Sequence, residues 1–159
     1  MSLCRIVSGG QTGADRAALD AALHLAFPCG GWCPPGRLAE DGPLNSIYPL
    51  NELTSGGYRQ RTIKNIEDSD GTAIFYFGRP AGGTELTLVQ CIKLHKPYQL
   101  VDASEVPALR ASEILHRFIQ QLAIGVLNVA GPRESRTPGT HAYVQEAIQS
   151  LIEAYRVGA

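Results

Sequence analysis

No stretch of this 159-residue chain approaches the run of about 20 apolar residues that a membrane-spanning helix needs. The first residues lack a basic segment followed by a long apolar one, so a secretory leader is not expected and the cytoplasm is the expected compartment. Net charge is also scarce. Fourteen basic against fifteen acidic residues leave −1, which gives no broad pull toward nucleic acid polymers or anionic membranes. Four cysteines, Cys4, Cys29, Cys33 and Cys91, do not form a CxxC pair, so they read as small packing residues rather than redox or metal centres. The histidines His24, His95, His116 and His141 are scattered, with no His-x-x-x-His or mixed Cys/His spacing. That supports neither a zinc nor a haem site. No G-x-S-x-G nucleophile elbow is present.

What is present is enough apolar residue, 44%, for a real core, and 17 glycines placed in telling positions. The length fits one domain over residues 1–159. Leu3–Val7 reads as a buried strand that runs into glycines, and Ala14–Ala26 carries apolar residues at helical spacing. Thr12 and Asp15 have the spacing of a capping box at its start. Cys29–Cys33 reads as a short second strand. Pro34–Asn51 has no period and reads as a long loop of the kind that often carries function. Tyr58–Glu67 reads as a helix, Thr72–Phe77 as a strongly β-prone strand, and Thr84–Leu94 as a helix. Tyr98–Val101 is a strand, Ser112–Gln121 a helix, Val126–Ala130 a strand and Thr140–Tyr155 a helix. Strands alternate with helices throughout. The fold class expected is therefore α/β, a Rossmann-like three-layer domain with a mostly parallel sheet of about five strands and helices on both faces.

Three strands are followed by glycine-rich loops, which a parallel sheet would gather at its carboxyl edge, where ligands bind. The first is Ser8-Gly9-Gly10-Gln11-Thr12-Gly13, leading into a helix. Its glycines let a ligand approach the backbone, and a helix N-terminus offers unpaired N–H groups to an anion. It matches neither GxGxxG nor a Walker A loop. The second, Gly78 to Gly83, ends in Gly82-Gly83-Thr84-Glu85. Glu85 reads as a ribose ligand, an acid–base group, or simply a first-turn acid favoured by the helix dipole. The third runs from Gly131 to Gly139 and holds Arg133, Ser135 and Arg136. Arginine forks onto phosphate or carboxylate, and in this loop it reads either so or as a solvated side chain. In the long loop, Trp32 either stacks on a ligand ring or seals the core, near Arg37, Glu40 and Asp41. Tyr58, Arg61, Thr62 and Asn65 share one polar helix face, a pattern common on solvated surfaces. Asp68 and Asp70 precede the Thr72–Phe77 strand, at the end away from its ligand loop.

The blocks SGGQTGADRAALDAA, GGWCPPGRLAEDGP, YPL, YRQRTIKNIEDSDGT, AGGTELT and VLNVAGPRES resemble, in order along nearly the whole chain, the molybdenum carrier family. That family looks like a circularly permuted, YpsA-like branch of the SLOG superfamily, Rossmann-like proteins related to the LOG enzymes. The resemblance implies a binding protein for a phosphorylated heterocycle, either molybdenum cofactor (molybdopterin) or a nucleotide. Gly9, Gly10, Gln11, Thr12 and Gly13 would hold phosphate, with Gly82, Gly83 and Thr84 as the opposite wall. Arg61, Gly131, Arg133 and Ser135 would complete the site and Trp32 would stack on the ring. The alternative it implies is a LOG-like phosphoribohydrolase cleaving the N-glycosidic bond of a nucleoside monophosphate, with Glu85 catalytic. The LOG motif P-G-G-x-G-T is shortened here to Pro80-Ala81-Gly82-Gly83-Thr84. The relatives also imply a homo-oligomer, with Tyr143 and Tyr155 on the last helix as the aromatic residues to spare.

Overall fold

The computed structural model describes residues 2–157. Its central sheet is built from β1 (Arg5–Val7), β2 (Cys29–Gly30), β7 (Gly71–Tyr76), β8 (Tyr98–Asp102) and β9 (Val126–Ala130). Between β2 and β7 lie four short strands: β3 (Trp32–Cys33), β4 (Leu38–Ala39), β5 (Gly42–Pro43) and β6 (Asn51–Glu52). The helices are α1 (Ala14–His24), α2 (Tyr58–Glu67), α3 (Gly82–Lys93), α4 (Ala108–Leu122) and α5 (Thr140–Val157). The sheet order is β2-β1-β9-β7-β8, with every neighbouring pair parallel. This is the Rossmann-like three-layer architecture that strand–helix alternation predicts.

The strands show why two faces are needed. In β7, Ala73 and Phe75 join the core that includes Ala17, Ala21, Leu115, Ile119, Ile148 and Ile152 of α1, α4 and α5. Ile74, between them, points the other way and packs with Ile66 of α2 and Cys91 of α3. Period-two alternation thus feeds both layers. A third cluster, of Leu19, Cys33, Ala39, Leu44 and Leu50, lies beneath the long loop.

That loop is not structureless. β4 and β5 form an antiparallel hairpin with Glu40 and Asp41 at its tip, and β3 pairs in parallel with β6. Arg37 organises the segment by donating to the carbonyls of Leu44, Asn45, Tyr48 and Leu50. A guanidinium with five donors can satisfy several turn carbonyls at once. The expected strand Cys29–Cys33 is split between β2 and β3, which belong to different sheets, and the helix starts differ at α3 and α4. α3 starts at Gly82, so both glycines belong to its first turn, and α4 starts directly after Pro107. No helix among the described residues is long and apolar enough to cross a membrane.

Candidate functional site

Because β1, β7 and β9 run parallel, the loops that leave them share one edge of the sheet. β1 leads through α1 to β2 on one side, and β7 leads through α3 to β8 on the other. The connections diverge from the middle of the sheet, the arrangement that leaves a crevice at the carboxyl ends. A cleft of about 90 Å³ sits there. It is lined by Gly9, Gln11 and Asp15 from the first loop and α1, by Gly83, Leu86 and Thr87 of α3, and by Asn128 to Gly131 and Arg133. α2 contributes Tyr58, Arg61, Thr62 and Asn65, so the polar stripe of that helix faces the cleft rather than solvent.

The cleft is crowded by an ion pair. Arg61 reaches from α2 across the first loop, and a Cβ on Gly9 would lie 1.9 Å from its Nη1. Any larger residue at this position would displace the guanidinium seated on its α-carbon. Arg61 Nη1 donates to Asp15 Oδ2 at 3.2 Å, with the two side chains 10% and 12% exposed. Burial raises the Asp15 carboxyl above its ordinary value, against the opposing pull of Arg61 and of the Gln11 N–H. Arg61 and Arg133 both lie over the Tyr58 ring, at 5.3 and 5.5 Å from its centre.

Gln11 supplies the clearest sign of a ligand. Its Oε1 accepts from the backbone N–H of Thr12 and of Glu40, which fixes the orientation of the amide. The other end, Nε2, is buried and has no hydrogen-bond partner among the described residues. A buried donor left unmade costs about 1–3 kcal/mol, so an acceptor entering the cleft would be held there.

The first loop departs from the simple anion cradle. α1 begins at Ala14 with Gly13 as its cap and no side-chain capping bond. The expected Thr12–Asp15 capping box is therefore not formed: Asp15 turns to Arg61 and the Thr12 N–H goes to Gln11. The Ala14 N–H, which a phosphate could have used, donates to Pro132 O at 3.1 Å. Gly13, at φ 81°, lets the two loops touch, since a Cβ there would lie 2.2 Å from that same carbonyl. Gly10 faces Leu44 and Leu50, away from the cleft.

Of the residues singled out in the sequence, the fold brings Gly9, Gln11, Arg61, Gly83, Gly131 and Arg133 together. Thr12 and Ser135 meet one another's neighbourhood through Glu40, whose carboxylate accepts from both hydroxyls. Thr84 faces an adjoining hollow with Arg79 and Arg136, and Arg136 Nη1 lies over the α-carbon of Gly82. Trp32 edges a different hollow with Arg5, Asn51 and Asp68. Its Nε1 donates to Asp68 and its ring lies under Lys64. Glu85 is exposed and lines neither hollow. Asp70, the end-of-sheet acid, caps the N–H groups of Gly125 and Val126. Sequence reasoning missed Asn128 and Thr87. The signal for Asn128 was an amide inside the apolar run VLNVA; it donates to Thr72 Oγ1 at 3.2 Å. Among the described residues, no group of three His, Cys, Asp or Glu side chains is placed to hold a metal ion.

Comparison with known proteins agrees with the fold. Nothing among the curated proteins matches. A solved structure from Syntrophus aciditrophicus SB, a protein that bears the provisional name molybdenum carrier protein, is 38% identical and superposes with a TM-score of 0.92. The match covers 95% of this chain and 96% of that one. A family model spans residues 6–152, from the first sheet strand to the last helix. The chain therefore belongs to the circularly permutated YpsA SLOG family.

Proposed function

We propose that this protein binds a phosphorylated heterocycle, with molybdenum cofactor and nucleotides as the two candidate classes, and holds it at the carboxyl edge of the sheet. The unpartnered Gln11 Nε2 in a cleft that also presents Arg61 and Arg133 carries this reading. A phosphate oxygen would accept from Gln11 and from the two guanidinium groups. α3 adds the partial positive charge of its first turn at Gly82 and Gly83. The same groups suit the terminal phosphate of molybdopterin, whose metal would bring the redox chemistry. The name borne by the Syntrophus protein points the same way.

The hydrolase alternative finds less support. The cleft's lining includes one carboxylate, Asp15, and that group is paired with Arg61. Glu85 stands outside it. Hydrolysis of an N-glycosidic bond calls for a free carboxylate at the sugar.

The test uses Gly83, because a Cβ there meets nothing within 4 Å. Gly83→Asp places a negative charge in the cleft at a first-turn position where acids are well tolerated. With adenosine monophosphate and a phosphorylated pterin as probes in calorimetry, the variant should melt with the parent and lose binding. Unchanged affinity would overturn the reading. A homo-oligomer remains the expected state on the strength of the family. Tyr143 and Tyr155 do not argue for it, since they are bonded within the chain to Val106 O and Gln120; light scattering decides the point.

A further inference from the structure

Both arginines that line the cleft already have a carboxylate. Arg61 has Asp15, from a helix that is part of the framework. Arg133 has Glu40, which comes from the tip of the β4–β5 hairpin, 93 residues away in sequence and attached by a loop. The Glu40 carboxylate is held like a bound anion. Its Oε1 accepts from the Thr12 hydroxyl and from the Ser135 N–H at 3.4 Å. Its Oε2 accepts from the Ser135 hydroxyl at 2.6 Å and lies 3.7 Å from Arg133 Nη1. The donor set is one guanidinium, two hydroxyls and one amide, contributed by two different loops. These bonds also hold the carboxyl below its ordinary titration range. The hairpin is fastened at a second point by Arg16, which forks onto Asp41 at 2.9 and 3.0 Å, and at a third by Glu40 N–H on Gln11.

The size of the cleft adds a second observation. About 90 Å³ accepts a phosphate-sized group, whereas sites that enclose whole small molecules run to about 300–1,000 Å³. A heterocycle attached to that phosphate would extend beyond the cleft, and Arg133, which lines it, is the residue that Glu40 pairs with.

We propose that Thr12, Arg133 and Ser135 form an anion-binding site that the chain fills with its own Glu40, and that an oxyanion of the ligand takes the carboxylate's place and releases the hairpin. This rests on the phosphate reading above and adds to it a second anionic position, suited to a phosphate or carboxylate group of the same ligand. Glu40 is then a tethered competitor. A site that is open one-tenth of the time shows an apparent affinity about tenfold weaker than its intrinsic one.

Glu40→Gln keeps the shape of the side chain and removes its charge. The probes are pyrophosphate and adenosine monophosphate, titrated calorimetrically against both proteins, with thermal melts to show that each is folded. The variant should bind about tenfold tighter. Adding Ser135→Ala to it should remove most of the gain. In the parent protein, saturating pyrophosphate should speed amide exchange at Glu40 and Asp41. Equal or weaker binding by Glu40→Gln would overturn the competitor role while leaving the phosphate reading intact. A double variant that binds as tightly as Glu40→Gln alone would show that the ligand does not use this cradle. If neither protein binds either probe, the phosphate reading fails and this proposal fails with it.

Discussion

Replacing Arg61 with methionine removes the cation paired with Asp15 and leaves a carboxyl that is 12% exposed at the bottom of the cleft. Breaking a buried pair from one side costs about 3–5 kcal/mol, because the remaining charge has lost its compensation. The cation–π contact of Arg61 with Tyr58 adds about 0.5–1 kcal/mol. Asp15 has an escape, which is to take up a proton. Holding it protonated costs about 1.4 kcal/mol for each pH unit above its ordinary titration point, so this route caps its share of the loss near 4 kcal/mol at pH 7 and near 2 kcal/mol at pH 5. The sign follows from linkage. Burial has already raised the folded carboxyl, and loss of Arg61 raises it further. The folded state then keeps its proton to higher pH than the unfolded chain does. Stability is present below the ordinary carboxylate range and is lost as pH climbs through the raised value. Urea unfolding followed by circular dichroism should show Arg61→Met losing about 3–4 kcal/mol at pH 7 and about half that at pH 5. An equal loss at both pH values, or a loss under about 1 kcal/mol at pH 7, would refute the account of Asp15 as a buried charge held by Arg61.

Gly13→Ala should cost about 2 kcal/mol or more, because φ is 81° and the added Cβ would strike Pro132 O at 2.2 Å; a shift in urea midpoint measures it. Tyr48 donates to Asp20 at 2.6 Å, and burial followed by that bond pushes its phenol to about 12. Tyr48→Phe should lose about 1–2 kcal/mol at pH 8, and the ultraviolet titration of the variant should lack the tyrosine step near pH 12. Because the folded phenol titrates high, the stability it contributes is present below the ordinary tyrosine range and disappears as pH rises through that step.

How far the sequence reaches depends on the range of the forces involved. Helix and strand positions rest on contacts between near neighbours, so alternation in TAIFYF and the apolar stripes of α1 and α5 foretell the layers. The gathering of three loops at one edge follows from parallel strands alone. The hairpin of Leu38 to Pro43 did not announce itself, because two-residue strands carry too few side chains to show a period. Its stability comes from contacts far along the chain: Glu40 with Ser135, Asp41 with Arg16, and Arg37 with four carbonyls. Trp32 shows the same limit. Preceded by two glycines and followed by one cysteine, it could face either way, and what settles it is an acid 36 residues on, Asp68, accepting its N–H.

The reading of the first loop turned on the same distinction. A glycine-rich turn ahead of a helix suggests free N–H groups for an anion, and each step of that inference is local. Here two of the donors are taken, Ala14 N–H by Pro132 and Thr12 N–H by Gln11, and the start of α1 carries a buried acid of its own. The glycines instead admit other parts of the protein. Gly9 makes room for Arg61, Gly10 for Leu44 and Leu50, and Gly13 for the third loop. Positive charge reaches the cleft as side chains, from a helix 46 residues beyond Asp15 and from a loop near the end of the chain. An oxyanion placed beside Gly9 would therefore be bound by guanidinium groups and one orphaned amide, not by the dipole of α1. Its affinity should track Arg61, Arg133 and Gln11. Substitution at Gly10, which faces the apolar cluster, should injure folding before it injures binding.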